Sequence, residues 1–281
     1  MQILQTYMVL GGVPYYWSFL RKGYSWAQNI DSLFFADNAD LRNEFDALYS
    51  SLFRYPDPYI KIVTALSKKK AGMTRGEIAD ALGQDHGGTL TKILKDLELC
   101  GFIRSYTSIG KAKKDTLYQL FDNFTLFYFR FIDGNSIKDQ QFWSRSIGGN
   151  AFNVWSGLAF ERICFQHVEQ IKMALGISGV MSSVYSWVYR PASKEESGVQ
   201  IDMLIDRNDG VINLCEIKFS QGKYEIKKKY AEELRQKLAV FQSKTETRKS
   251  IFTVMITTEG LTDNEYAGDI QNEVVVNDLF A

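Results

Sequence analysis

The stretch that decides the fold reads Val199-Gln-Ile-Asp202-Met-Leu-Ile-Asp206-Arg-Asn-Asp-Gly210-Val-Ile-Asn-Leu-Cys-Glu216-Ile-Lys218-Phe-Ser220. Two runs of apolar and β-branched residues flank Asn208-Asp209-Gly210, which predicts a β-hairpin. Asp202 falls in the first strand. Glu216 and Lys218 fall in the second, two apart, and so leave the same face of the sheet. Two carboxylates and an ammonium gathered on one face suit a hard cation and an activated water. A solvated hairpin face would also carry such charges. Leu204 and Leu214 share their parity, however, and a solvated face does not place leucines there. The charges are therefore expected in a half-buried cleft, with Met203, Ile205, Cys215 and Ile217 on the opposite face.

The segments around the hairpin predict an α/β unit over residues 150–281. A long helix is expected from Phe152 to Leu175, then a strand from Val184 to Tyr189 and a loop from Lys194 to Gly198. After the hairpin come a basic helix from Tyr224 to Ser243, a strand from Ile251 to Thr257 and a short strand from Glu273 to Val276. Tyr230 and Lys237 on the basic helix are candidates to lean into the cleft, while most of its lysines are expected to be solvated.

A chain of 281 residues, 45% hydrophobic and 14% aromatic, has ample material for about two packed domains. Formal charge sums to zero but is unevenly spread. Ile60 to Tyr118 holds 11 lysines and arginines against 6 acids, and Gly222 to Lys249 holds 9 against 4. From Glu259 onward there are 6 acids and no base. Two basic segments in a neutral chain point to a local anionic partner. Cys100, Cys164 and Cys215 lie far apart in apolar runs and are expected to pack in a core in a reducing compartment. Two histidines, His86 and His167, argue against a histidine-rich zinc site. The longest near-apolar run, Met8–Leu20, is broken by glycines and a proline and is too short to span a bilayer. A cytoplasmic protein without membrane contact is expected. No Gly-x-x-x-x-Gly-Lys-Ser/Thr segment is present, so no ATP site of that kind is expected.

Residues 1–55 read as a helical segment, with helices at Ile3–Leu10 and Tyr15–Leu20, a third capped by Ser25, and a fourth at Ala39–Phe53. Residues 56–120 read as a winged helix-turn-helix. Tyr59–Ser67 gives its first helix, and Thr74-Arg-Gly-Glu77 is a capping box opening the second. Thr89 starts the third, with Leu90, Ile93, Leu94 and Leu97 at core spacing. Phe102-Ile-Arg104 and Thr116–Leu120 form the wing strands around the basic loop Gly110-Lys-Ala-Lys-Lys114. As a weak DNA reader, this domain would present Thr89, Thr91, Lys92 and Lys95 to the groove and Lys111, Lys113 and Lys114 to phosphate. As a protein-docking module it would not need them, and Asp96 and Glu98 dilute the recognition helix. Residues 121–149 form an aromatic connector.

An Asp followed across a hairpin by Glu-x-Lys resembles the PD-(D/E)XK nuclease superfamily, which implies a restriction-endonuclease-like domain with a mixed sheet in an α+β, multidomain chain. The resemblance implies Asp202, Glu216, Lys218 and Glu161 as catalytic residues. Glu161, in Gly157-Leu-Ala-Phe-Glu161, is by periodicity alone an ordinary helix acid, and the hairpin downstream gives it this role. Asp202, Glu216 and Glu161 would hold Mg²⁺, and Lys218 would steady charge developing at a phosphodiester. Across nearly the whole chain, the order of motifs resembles the C-terminal two-thirds of a prokaryotic family of archaeal-type AAA ATPases. These are Gly11-Gly-Val-Pro14-Tyr-Tyr, Leu90…Leu94…Leu97…Gly101-Phe-Ile, Tyr118-Gln-Leu-Phe-Asp122-Asn-Phe, Phe127-Tyr-Phe-Arg-Phe131, Gly157…Phe160-Glu161, and Ile201-Asp202…Cys215-Glu216-Ile-Lys218. In that family a P-loop core precedes the Gly-Gly-x-Pro helix, which belongs to the ATPase lid. This chain lacks that core, so it is expected to be a part of a larger protein without ATPase activity of its own. Two readings follow: a nucleic-acid-binding part of such an ATPase with a Mg²⁺-dependent nuclease-like site, or a non-catalytic module that docks a protein partner or regulates the missing ATPase core.

Overall fold

The computed structural model describes residues 1–83, 87–107, 116–134, 139–189, 191 and 198–280. The fold is α+β. The chain divides into two compact units, with the boundary between Ala159 and Phe160.

The first unit opens with α1 (Gln2–Leu10), α2 (Pro14–Trp17) and α3 (Trp26–Ile30), which runs into a π-helical turn, Asp31–Phe35, followed by α4 (Glu44–Leu52). Ser25 caps α3 in a capping box with Gln28. The helix predicted from Ala39 starts at Glu44, after a turn that the Arg42 guanidinium ties to the Ala36 carbonyl at 2.7 Å. Next come α5 (Asp57–Ser67), β1 (Met73–Thr74), α6 (Arg75–Leu82), α7 (Gly88–Leu99), β2 (Ile103–Tyr106) and β3 (Leu117–Leu120). The small antiparallel sheet has the order β1-β3-β2. Three helices with this sheet make a winged helix. Its strand β1 is two residues long, too short to show a period in the sequence. Gly72 leads into it at φ +79°, where a Cβ would come within 2.5 Å of the Tyr118 carbonyl oxygen. Only glycine lets the two strands approach this closely.

After α8 (Asn123–Phe127) and a second π-turn, Tyr128–Ile132, come α9 (Phe142–Ser146) and the first part of α10 (Asn150–Gln166). Trp143, fully buried, is ringed by Trp26, Phe127, Phe131, Phe152 and Trp155. Phe124, Phe127 and Phe131 of the connector are thus core, as their helical spacing predicts, while Phe121, Tyr128 and Phe129 are partly exposed. The buried Asp31 carboxylate accepts the Trp143 N–H at 2.8 Å, the Ser144 N–H at 3.2 Å and the Ser144 hydroxyl. It thereby satisfies the N-terminal turn of α9.

The second unit holds the rest of α10, α11 (Val168–Ala174), β4 (Ser182–Tyr189), β5 (Val199–Arg207), β6 (Val211–Lys218), α12 (Lys228–Thr245), β7 (Ser250–Thr257), β8 (Asn272–Val275) and α13 (Val276–Leu279). The five strands lie in sequence order. β4, β5 and β6 pair antiparallel, and β6, β7 and β8 pair parallel. The parallel return from β6 to β7 requires a crossover, and α12 supplies it. The result is a five-stranded mixed sheet with helices, and a mixed sheet is what the sequence predicts for this part of the chain.

Three further expectations are corrected. The single helix Phe152–Leu175 is two, broken at His167, whose ring N–H donates to the Ile163 carbonyl at 2.9 Å. The basic helix starts at Lys228 rather than Tyr224, because Tyr224 is extended and bridges to Leu261. Cys100 is exposed at the end of α7, whereas Cys164 and Cys215 are core residues.

Candidate functional site

Leu204 and Leu214 face α12, packing with Trp187, Ile201, Ile212 and Phe241. The presence of both Ile201 and Leu204 in that cluster breaks the period of two. Tyr185 pairs with Leu204, but Trp187 pairs with Ile201, so β5 carries one extra residue at Asp202–Met203. This is a β-bulge, a device that re-aims side chains. On the other side, the β5–β6 ladder stops at Met203 and Cys215. Beyond it, the Ile217 N–H donates to the Asp202 carboxylate at 3.1 Å, in place of a strand carbonyl. The bulge thus turns Asp202 into the gap between the strands.

Glu216 is fully buried and lies on the α12 face. The Lys237 ammonium donates to both its oxygens at 2.7 Å, and the Tyr230 hydroxyl donates to one at 3.0 Å. Tyr230 and Lys237 are seven residues apart on α12, two helical turns, and therefore share a face. Lys218 lies 3.8 Å from the same carboxylate and 4.8 Å from the centre of the Tyr230 ring. Burial raises the Glu216 carboxyl above its ordinary value, and the Asp202 charge adds to this; Lys237 and Lys218 work against it. Burial, with the nearby Glu216 charge, also pushes the Tyr230 hydroxyl up, so it stays a proton donor to the carboxylate.

Lys218 therefore lies beside Glu216, and Asp202 is near enough for its charge to act on the same carboxylate. Glu161 lies on α10, one turn from Cys164. Burial raises the Cys164 thiol well above its ordinary value, with Glu161, Cys215 and Asp202 contributing. Burial lowers the neighbouring Arg162 guanidinium to about 10. Among the described residues, no three His, Cys, Asp or Glu side chains gather closely enough to hold a metal ion. The reason is visible at Glu216 and Asp202. The first gives both oxygens to Lys237, and the second gives an oxygen to a backbone N–H. As they stand, these residues do not fit Mg²⁺. A groove of about 300 Å³ beside α12 is lined by Leu234, Leu238, Ile251 and Ile270, and it includes none of the cleft residues.

In the winged helix, Lys92 and Lys95 are exposed on α7, as are Thr89 and Thr91. At 100° per residue, Gly88, Lys92, Lys95 and Leu99 share the outward face, opposite Leu90, Ile93, Leu94 and Leu97. Asp96 accepts from the Tyr59 hydroxyl at 2.8 Å, and Glu98 accepts from the Ser105 N–H at 3.0 Å. Both acids are held at the flanks by the domain's own groups. The Arg75 guanidinium reaches the Thr91 hydroxyl at 3.0 Å, a contact the sequence did not suggest. Lys111, Lys113 and Lys114 lie outside the described residues. Among the described residues, no helix is long and apolar enough to cross a membrane.

No family model matches the chain. A curated protein of Methanocaldococcus jannaschii, "Uncharacterized protein MJECL04", is 28% identical over 243 residues, which cover 82% of this chain and 51% of that protein. The chain thus spans about half the length of the curated relative it matches. A solved structure described as a protein of unknown function, AF1548, is 14% identical over 42% of this chain and 64% of its own length. Its TM-score is 0.30.

Proposed function

We propose that this chain is the nucleic-acid-contacting part of a longer protein, with the winged helix seated on duplex DNA and the C-terminal cleft facing a phosphodiester. The observation that carries this is the outward face of α7. It presents Lys92 and Lys95, while Asp96 and Glu98 are engaged by Tyr59 and Ser105 and do not oppose a phosphate backbone. The lack of an arginine on α7 favours contact with phosphate over reading of base edges. In the C-terminal unit, Lys218 and Lys237 would meet phosphate charge, with Glu216 holding the Lys237 ammonium in position. In its present arrangement the cleft suits holding a phosphodiester rather than cutting it.

The likeness of the motif order to archaeal-type AAA ATPases fits this reading. The archaeal relative is about twice the length matched, which is room for a P-loop core. ATP hydrolysis would belong to that core, and these residues are expected to bind no ATP.

A second reading, a docking module, has its own support. Leu99 is 75% exposed at the end of the same α7 face, beside the exposed Cys100. Binding of a labelled duplex, followed by anisotropy across a salt series, separates the two. On the DNA reading, affinity falls with salt by counterion release. Changing Lys92 and Lys95 together to Ala lowers the slope of log K against log salt by about 2. An unchanged slope and affinity in that variant would discard the α7 contact in favour of docking.

A further inference from the structure

We propose that β4 is an interface strand: two copies of this chain pair along it, antiparallel about a two-fold axis through Ser186. The five strands of each copy then join in one continuous sheet. This surface is used neither by the α7 face nor by the Glu216 cleft, and the proposal goes beyond the nucleic-acid reading.

The C-terminal sheet has two edges, β4 and β8. An edge strand presents a row of backbone N–H and carbonyl groups that a further strand can take. Proteins that stay single blunt such edges with short strands, charges or prolines. β8 is blunted, since it has four residues, carries Glu273 and runs directly into α13. β4 is not. Its eight residues, Ser-Ser-Val-Tyr-Ser-Trp-Val-Tyr from Ser182 to Tyr189, include no charge and no proline. Among the described residues, β5 is the only strand that pairs with it. The bulge between the two places its extra residue on β5, so β4 keeps its own period of two. Tyr185, Trp187 and Tyr189 pack into the cluster beneath α12. Val184, Ser186 and Val188 therefore take the other face, and Val188 is 47% exposed.

The pattern along β4 selects a second copy as the partner. Directly opposed residues in an antiparallel pair share a face, so a strand that meets its own copy is centred on a residue. Centring on Ser186 sets Tyr185 against Trp187 on one face and Val184 against Val188 on the other, each twice. Aromatic pairs of this kind stabilise a ladder, and β-branched side chains pack well on a pleated surface. The small serine lies on the axis, where the two copies come closest. Charge agrees with this arrangement. No side chain of the strand meets a like charge, and Lys244 stands at one end only, 4.6 Å from the centre of the Tyr189 ring. Antiparallel pairing keeps the two Lys244 ammonium groups at opposite ends, whereas parallel pairing would set them side by side. A contact of this symmetry closes at two copies and does not propagate.

The test is sedimentation equilibrium of the full chain without nucleic acid, which should show a reversible dimer. Ser186→Lys sets two ammonium groups against each other on the axis and should weaken association at least about tenfold. If circular dichroism shows that this variant does not fold, Val188→Lys serves, since it changes an exposed side chain and opposes a charge to Val184 of the second copy. Disulfide trapping with oxidised glutathione, in a Cys100→Ser background, reads the register. Ser186→Cys should cross-link to itself, because α-carbons opposed on the axis stand about 4.5–5.5 Å apart, within the disulfide range of about 4.4–6.8 Å. Val184→Cys should not, since its two copies stand four residues apart along the ladder, roughly 13 Å. Three results each overturn the proposal: a chain that stays monomeric up to about 100 μM, association unchanged in the folded lysine variant, or cross-linking by Val184→Cys as fast as by Ser186→Cys. DNA enters none of these readouts, so a failed dimer test leaves the nucleic-acid reading standing.

Discussion

Removing the Lys237 ammonium should destabilise the C-terminal unit, and the loss should depend on Glu216. The parent carboxylate is fully buried and receives two bonds from Lys237 and one from Tyr230. Lys237→Met leaves it with the tyrosine hydroxyl and the Lys218 ammonium at 3.8 Å. Breaking a buried ion pair from one side typically costs about 3–5 kcal/mol, because the remaining charge is stranded. Two features limit the loss here. Lys218 is close enough to take over part of the compensation, and burial already favours protonation of Glu216. A loss of about 3 kcal/mol is expected. Glu216→Gln together with Lys237→Met removes both charges and should cost below about 1 kcal/mol, since buried pairs are often replaced by neutral groups without penalty. The coupling energy is then about 2 kcal/mol or more. Urea unfolding followed by circular dichroism measures it, provided the slope m is unchanged among the variants and the transition of this unit is resolved. A single-variant loss below about 1 kcal/mol, or a double variant as unstable as the sum of its parts, would refute the picture of a buried pair.

Three further predictions follow from other parts of the molecule. Asp31→Ala strands the buried Trp143 N–H and should cost about 2–3 kcal/mol in the first unit; a loss no larger than that of an exposed acid would show that the α9 turn is satisfied otherwise. Gly72→Ala should cost about 1–3 kcal/mol from its positive φ and its clash with the Tyr118 carbonyl. Gly83→Ala, at φ +60° with open space around it, should cost less, and equal losses would remove the clash argument. The folded Glu216 carboxyl lies above its ordinary value of 4.5, so its contribution is most favourable below that value and is lost as pH rises through the raised one. The stability of the parent relative to the Glu216→Gln, Lys237→Met variant should therefore decline as pH rises above the ordinary carboxyl value of 4.5, and a flat difference in thermal or urea unfolding would contradict the shift.

The parts of this fold that repeat were legible in the sequence. Leu90, Ile93, Leu94 and Leu97 identify the inner face of α7 by spacing alone, and Thr74 with Glu77 identifies the start of α6 by capping chemistry. The hairpin was legible because Asn208-Asp209-Gly210 interrupts two apolar runs. The elements that escaped have no period to read. β1 is too short, and the π-turns at Asp31–Phe35 and Tyr128–Ile132 look like ordinary helix in one dimension. Asp31 serves groups more than a hundred residues away, which no local pattern encodes. In the cleft, the period of two placed Glu216 and Lys218 together but assigned Asp202 to the face of Leu204. The bulge overrides that parity. A bulge without a glycine leaves no mark in the sequence, since its cause lies in strand pairing.

That bulge also explains why the cleft takes the form it does. An unbroken β5 would pair with the N–H of Ile217 through its backbone and would direct Asp202 squarely onto one face. One extra residue ends the ladder, and the carboxylate fills the gap that the backbone has left. Asp202 is thereby committed to the strand it touches, and Glu216 is left to find its compensation on α12. Seven residues of helix supply a hydroxyl and an ammonium at matching heights. A cleft assembled this way is stable by itself, since each carboxylate has a fixed partner from the protein. The partners of the buried acid thus stand on the crossover helix rather than on the strands that carry the acids.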